Sequence, residues 1–105
     1  MPLLRIQRYR SVINVDTTQQ KTVGTLVFPG LATFKLDPMT VTWTAGIYSL
    51  IDYGTFDYAG SGPSGYASGQ ACLDALVDVD VTGTGRTVVA LTDDTVNTRI
   101  TVTLA

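Results

Sequence analysis

Apolar and polar residues alternate along several short segments of this chain. In 100–104, three aliphatic residues alternate with two threonines, and 77–82 and 40–45 repeat the pattern. Successive side chains of a β-strand point to opposite faces, so a period of two predicts strands with one buried and one solvated face. The residue usage agrees, because Thr and Val are abundant and Glu and His are absent.

Other segments carry apolar residues on both faces, at 26–28, 47–53 and 88–91. Such runs predict strands covered on two sides, either by a second sheet or by a partner subunit. Turn residues such as Pro29-Gly30 and Gly83-Thr84-Gly85 separate the runs, and the glycine turn is expected to close a hairpin. About eight strands are predicted, at residues 3–10, 22–28, 32–37, 40–44, 47–53, 76–82, 86–92 and 98–104.

The predicted fold is all-β: an antiparallel sandwich or barrel-like, jelly-roll-like single domain spanning residues 1–105. Residues 1–16 are expected to form a basic N-terminal arm or an edge strand, and 54–70 a long Gly/Ser-rich loop. A short helical turn is predicted at 71–78. No internal repeat of 20 to 50 residues is visible, so a full solenoid is not expected.

The single cysteine, Cys72, has no partner for an internal disulfide, and its apolar neighbours predict a buried structural thiol. No segment approaches the run of about 20 apolar residues that a membrane helix needs, so no membrane contact is expected. The N-terminal sequence does not resemble a signal peptide, because arginines interrupt its apolar part. These features predict a protein made in a cytosol.

Catalytic groups are sparse. Without histidine the chain has no Ser-His or Cys-His pair, and it is predicted not to be an enzyme and to use no cofactor. Asp52 and Asp57 are close enough in sequence to be considered as paired carboxylates, but turn-capping or surface roles are favoured. Residues 83–86 match neither a phosphate loop nor a dinucleotide-binding fingerprint.

Two groups of oxygen-bearing side chains are candidates for metal binding, but neither has the EF-hand spacing. No metal site is therefore predicted, and a turn ordered by side-chain hydrogen bonds is favoured at 93–97. The groups are Asp93, Asp94 and Asn97, and Asp74, Asp78 and Asp80.

The charge is unevenly distributed. Arg5, Arg8 and Arg10 lie in the first ten residues, whereas the rest of the chain carries four basic residues and nine aspartates. Three arginines in an acidic chain are too few for a nucleic-acid arm, so no direct nucleic-acid contact is expected. The arm either docks on an acidic patch of a neighbouring subunit or is a plain edge strand. Tyr58 and Tyr66, expected to be exposed in the long loop, complete the predicted partner-binding residues.

Two segments resemble known proteins: 44–54, TAGIYSLIDYG, and 93–104, DDTVNTRITVTL. Together they resemble a Gly-x-Tyr-x-Leu-Ile-x-Tyr strand and a terminal strand of two families: the last rungs of autotransporter passenger domains, and small strand-rich virion proteins of tailed bacteriophages. The resemblance covers residues 41–105. Neither a signal peptide nor repeats are predicted from the sequence, so the virion family is preferred, which implies a capsid decoration (cement) protein or a tail component.

The predicted function is a non-enzymatic structural protein that forms a homodimer or homotrimer and stabilises a phage capsid by binding the major capsid protein or another virion protein. Its location would be the virion, assembled in the host cytoplasm. The alternatives are a phage tail component and a carbohydrate-binding or adhesin-like module. The latter would use aromatic faces, offered by Trp43, Tyr53, Tyr58 and Tyr66.

Overall fold

A computed structural model describes residues 11–16 and 21–105 of the chain, without the side chain of residue 21. Across these residues the chain forms seven strands and one helix. The predicted strand at 3–10 lies outside the described residues. The elements are β1 (Ser11–Val15), β2 (Lys21–Leu26), β3 (Ala32–Leu36), β4 (Gly46–Phe56), α1 (Gly69–Leu76), β5 (Val77–Asp80), β6 (Val88–Asp94) and β7 (Arg99–Leu104).

The strands form two sheets. The first has the order β1-β3-β5 and is wholly parallel. The second has the order β2-β4-β7-β6, in which β2 and β4 are parallel and the other two pairs are antiparallel. The β-dominated, two-sheet expectation is therefore confirmed. The prediction of an antiparallel sandwich or jelly roll is wrong, since three of the pairs are parallel. Alternation along a strand shows which face is buried, but it does not show the direction of the neighbouring strand. The described strands form no closed barrel.

The first four strands alternate between the sheets: β1 and β3 belong to the first, and β2 and β4 to the second. The strands β1 and β2 therefore form one coil, and β3 and β4 form a second coil that stacks on it through parallel pairing. Ser11 pairs with Ala32, 21 residues later, whereas Lys21 pairs with Ile51, 30 residues later. Ala32 in turn pairs with Val77, 45 residues later. Because the coils differ so much in length, their stacking leaves no fixed period in the sequence.

Buried side chains from both sheets meet in one hydrophobic core. In β3 and β7 buried positions alternate with more exposed ones, as the period of two predicts. Burying a large aliphatic or aromatic side chain contributes about 1.5–3 kcal/mol, so this cluster is the main source of stability. Its most completely enclosed members are Phe34, Leu36, Cys72, Leu73, Ile100 and Val102.

The segment 40–44, predicted as a strand, forms none. The Asp37 carboxylate accepts hydrogen bonds from the Met39 amide at 2.7 Å and the Thr40 hydroxyl at 2.8 Å, which closes a turn directly after β3. Trp43 is buried, and its indole N–H donates to the Asp37 carbonyl at 2.9 Å. The alternation in this segment therefore reflects an irregular loop that places Trp43 in the core.

The long irregular segment is shorter than the predicted 54–70 loop, because β4 continues to Phe56 and α1 begins at Gly69. It is also anchored in the core. Ser61 is fully buried, and its hydroxyl accepts from the Phe28 amide at 3.0 Å and donates to the Asp57 carbonyl at 2.8 Å. This segment is a packed connection and not a free loop.

The helix occupies Gly69–Leu76, two residues before the predicted turn at 71–78. It begins there because the Ser68 hydroxyl accepts a hydrogen bond from the Ala71 amide at 3.1 Å, which satisfies a donor that has no partner inside the helix. Cys72 is buried on its inner side, as predicted. No helix in the described part of the chain is long and apolar enough to cross a membrane.

The Gly83-Thr84-Gly85 turn differs from the prediction. It was expected to close a hairpin, yet it joins β5 to β6, which belong to different sheets. Gly83 and Gly85 have φ angles of 81° and 73°, a backbone conformation that glycine adopts readily, so the turn can redirect the chain sharply. Among the described strands the consecutive antiparallel pair is β6 and β7, joined by residues 95–98.

Candidate interaction surface

Each sheet has two outer strands, and these lie at two ends of the stack. The helix α1 contacts both β5 and β6, which places these outer strands together at one end. β1 and β2, the first strands of the described chain, are the outer strands at the other end. An outer strand has a row of backbone N–H and C=O groups without a partner in its own sheet, so it can pair with another chain.

The end formed by β5 and β6 carries the features that natural sheets use to prevent edge pairing. β5 has only four residues. The register of β6 against β7 shifts between Val88 and Ala90, which indicates a bulge in the outer strand. Short edge strands, bulges and covering helices all disfavour the addition of a further strand. We call this the protected end.

The end formed by β1 and β2 has neither a bulge nor a packed helix among the described residues, although Lys21 begins β2, and we call it the open end. The registers of β1 with β3 and of β2 with β4 run without a shift. Neither strand contains proline or an acidic residue, although the chain has nine aspartates. Within residues 11–16 and 21–105, no strand pairs with the outer side of either one. Among the described residues, the open end is therefore the candidate site for the addition of a further strand.

The backbone hydrogen bonds fix which groups of β1 face outward. The Ser11 amide donates to the Leu31 carbonyl at 2.8 Å, and the Val15 carbonyl accepts from the Asp37 amide at 2.9 Å. Ser11, Ile13 and Val15 therefore direct their backbone groups at β3. Alternate residues of a strand point the opposite way, so the N–H and C=O groups of the intervening Val12 and Asn14 face the open edge.

The same reasoning applies to β2. The Leu26 carbonyl accepts a hydrogen bond from the Asp57 amide at 2.8 Å, so Leu26 faces β4. Gly24 has the same parity, and its carbonyl oxygen lies only 2.9 Å from where a Cβ on Gly54 would be. Val23 and Thr25 therefore direct their backbone groups outward. Within residues 11–16 and 21–105, both sheets therefore direct backbone donors and acceptors outward at this one end, with no strand paired to them.

A separate open cleft of about 710 Å³ lies at the carboxyl end of the parallel sheet. Its floor is a row of cross-strand neighbours, Asn14 in β1, Lys35 in β3 and Asp80 in β5. Asp16 and Asp37, which follow β1 and β3, also line it. Parallel strands bring together residues that are far apart in sequence, so this group had no signature in the linear pattern.

The carboxylates of the cleft already have hydrogen-bonding roles within the protein. The Met39 amide and the Thr40 hydroxyl, with Lys35 nearby, lower the pKa of Asp37 below its ordinary value. Hydrogen bonds from Thr82, again with Lys35 nearby, lower the pKa of Asp80. An acid and base pair needs two groups whose pKa values are displaced in opposite directions, and these two are displaced in the same direction.

The predicted partner-binding residues are only partly within the described chain. Arg5, Arg8 and Arg10 lie outside the described residues. The expectation that Tyr58 and Tyr66 are exposed is wrong, because both are half-buried against the core. The Tyr58 ring contacts the buried Phe56 ring edge-on, with 5.9 Å between the ring centroids. This aromatic contact favours a Tyr58 side chain that packs on the core and not in solvent.

The other candidate residues have structural partners. Asp52 lies 3.6 Å from the Arg99 guanidinium across β4 and β7, and it accepts from the Ser49 hydroxyl at 3.0 Å. Asp57 accepts from the Gly60 amide at 2.9 Å, the turn-capping role predicted for it. The pair is therefore divided between a cross-strand ion pair and a turn.

The turn after β6 is ordered by one side chain. Asp94 accepts from both the backbone amide and the side-chain amide of Asn97, at 3.3 and 2.9 Å. Asp93 lies elsewhere, as acceptor for the Tyr53 hydroxyl. The described residues contain no group of three or more His, Cys, Asp or Glu side chains placed to hold a metal ion.

Asp74, Asp78 and Asp80, the second candidate group, are divided between elements. Asp74 is on α1 and accepts from the Gln70 side chain at 3.0 Å. Asp78 is an exposed residue of β5, and Asp80 accepts from the Thr82 amide at 2.9 Å.

A partly buried polar cluster links α1 to the second sheet. The Tyr53 hydroxyl donates to Asp93, and the Gln70 side chain accepts from the Asp93 amide at 2.9 Å. Burial and the neighbouring Asp93 raise the pKa of Tyr53. Burial raises the pKa of the Cys72 thiol, so its neutral, unreactive form is favoured. This cluster holds the protected end together.

No protein-family model, curated protein sequence or solved structure matches this chain. What the protein does must therefore be inferred from its own residues.

Proposed function

We propose that this chain is a non-enzymatic structural protein that oligomerises and binds a repeating protein lattice, specifically as a capsid decoration (cement) protein of a tailed bacteriophage. The observation that carries the proposal is the open end, where β1 and β2 direct outward backbone groups that no other described strand pairs with, in two sheets at once. Strand addition at such an edge gives an association its main-chain hydrogen bonds. The protected end, in contrast, disfavours uncontrolled growth in the other direction.

The outer face of the second sheet offers a complementary surface for the lattice. Ser49, Thr101 and Thr92 form one row across three adjacent strands, and Ile47 and Thr103 are neighbours in the next. Ile47 is 72 % exposed. Small hydroxyl side chains and an accessible isoleucine on a flat face suit close packing against another protein, with hydrogen bonds at the periphery.

Charge adds a second attraction. Arg5, Arg8 and Arg10 concentrate positive charge at one end of the sequence, whereas all nine aspartates lie at Asp16 and beyond. A basic segment of one subunit and the acidic body of another are complementary, which speeds encounter and favours one relative orientation.

The carbohydrate-binding alternative has less support. Trp43 and Tyr53 are 3 % and 8 % exposed and fill the core, so neither offers a flat ring to a sugar. Tyr58 and Tyr66 are half-buried.

The proposal is tested by light scattering on a sizing column, followed by sedimentation with capsid shells of a tailed phage stripped of their decoration protein. A dimer or trimer that sediments with the shells in saturable amount is expected. A monomer that stays in the supernatant would contradict both parts of the proposal, and a glycan array showing saturable binding would favour the carbohydrate-binding module.

A further inference from the structure

We infer that two copies of this chain pair antiparallel along β1, across a two-fold axis at Ile13. The inference rests on the proposed assembly function and names the interface and the partner. A symmetric dimer uses the same surface on both subunits, so a strand that pairs with its own copy about a two-fold axis runs antiparallel to it.

The outward backbone groups determine the register. Val12 and Asn14 direct their N–H and C=O groups at the open edge, as the bonds of Ser11 and Val15 to the next strand require. With the axis at Ile13, Val12 of each copy lies opposite Asn14 of the other. Each of these residues then both donates and accepts, as a hydrogen-bonded antiparallel pair does. Every outward donor and acceptor of Val12 and Asn14 is satisfied.

The side chains fit the same register. Ile13 is partly buried against the core, so two copies of Ile13 meet on the inner face and extend the apolar cluster across the axis. Val12 is 56 % exposed and would be covered by Asn14 of the second copy. β1 contains no charged residue, so the two copies do not place like charges opposite one another.

A second copy fits the β1 edge better than the chain's own N-terminal residues do. To pair with β1, the preceding residues would have to reverse direction in a tight turn. Residues 3–10 read Leu-Leu-Arg-Ile-Gln-Arg-Tyr-Arg and contain none of the Gly, Asn, Asp or Pro residues that two-residue hairpin turns favour.

Charge swapping tests the interface. The variant Val12→Lys/Asn14→Lys places lysines opposite lysines across the axis, and Val12→Asp/Asn14→Asp does the same with carboxylates. Each variant alone is expected to elute with half the mass of the native dimer, and an equimolar mixture is expected to regain the dimer mass. Val89→Lys, at a 63 % exposed position of the protected end, is the matched control and should leave the mass unchanged.

Cysteine cross-linking tests the register of the two β1 strands without introducing charged residues into β1. Under mild oxidation, Ile13→Cys should give a covalent dimer because it lies opposite its own copy. Val12→Cys lies opposite Asn14 and should cross-link no more than Val89→Cys. The native Cys72 is fully enclosed and is retained. Circular dichroism and urea midpoints establish that each variant is folded.

The outcomes separate the two proposals. A native dimer or trimer whose mass is unaffected by the lysine pair overturns the β1 interface and leaves the assembly function standing. A native monomer that becomes a dimer when residues 1–9 are removed assigns the edge to the chain's own N-terminal segment and overturns the inference. A monomer in both forms overturns the inference and the oligomer, and lattice binding is then decided by whether that monomer sediments with the capsid shells.

Discussion

Gly69, the first residue of α1, lies where the surrounding atoms leave no room for a Cβ. A Cβ at this position would lie 2.8 Å from Cγ of Asp93 and 3.0 Å from the Phe56 ring. Neither neighbour can move freely, because Phe56 is buried and Asp93 is bonded by Tyr53 and Gln70. Only glycine lets the helix start this close to β6.

Gly69→Ala is therefore expected to destabilise the protein by about 1–3 kcal/mol, the usual effect of forcing extra volume into a packed site. Gly24→Ala is the matched control, because nothing lies within 4 Å of its added Cβ. Urea denaturation of both variants checks the prediction. Equal midpoints for the two would mean that the site around Asp93 relaxes without strain.

At the scale of elements, α1 depends on one capping side chain. The Ser68 hydroxyl is 3.1 Å from the Ala71 amide, and the eight-residue helix has no acidic residue in its first turn to assist it. The helix is too short to be stable by itself, so its capping and its packing act together.

Ser68→Ala should lower the free energy of unfolding by about 1 kcal/mol. For a domain of this size that corresponds to a fall in Tm of roughly 4–8 °C. Ser64→Ala, an exposed position in the preceding connection, is the control and should leave Tm within the error of thermal denaturation. A Tm for Ser68→Ala that equals the control would show that the cap is replaced by water.

The strands that the sequence indicates best are those whose alternation reflects burial in the core. β7 was predicted at 98–104 and is found at Arg99–Leu104, and β3 was predicted at 32–37 and is found at Ala32–Leu36. The strand predicted from alternation at 40–44 is absent. Trp43 is buried there in an irregular loop, where its indole N–H donates to the Asp37 carbonyl. β1 lies within the 1–16 segment expected to form an arm or an edge strand, but no strand was placed at 11–15 itself, where Val15 is the buried residue.

The candidate surface could not be predicted for a different reason. The open end depends on which strands are outermost, and the cleft depends on parallel register between Asn14, Lys35 and Asp80. Both properties arise from long-range pairing, which leaves no trace in local spacing. Turn-capping by Asp57 and the burial of Cys72, in contrast, follow from immediate neighbours and were predicted.

For the whole molecule, three half-buried aspartates link folding to pH. The pKa values of Asp37, Asp80 and Asp94 are lowered, first by hydrogen bonds from Met39, Thr82 and Asn97 respectively. Because the folded pKa lies below the unfolded one, these bonds stabilise the protein above the unfolded pKa. That contribution is lost as the pH falls through the folded pKa.

The urea midpoint should therefore be level from pH 7 to about pH 5 and decline below about pH 4, near the ordinary pKa of aspartate. Replacing all three residues with asparagine should make the decline shallower, since the amide still accepts a hydrogen bond but does not titrate there. An unchanged acid slope in the triple variant would place the pH dependence in other carboxylates.

The pairing of β4 with β7 sets the order in which this molecule can fold. Ile51 pairs with Ile100 and Gly46 with Leu104, so β4 gains its antiparallel partner only once β7 is available. β6 and β7 are joined by a short turn and can pair first, whereas the parallel coils close loops of 21 to 45 residues. Such distant contacts make folding slow. Among these coils, the pairing of β1 with β3 closes the shortest loop and is expected to form before the pairing of β3 with β5.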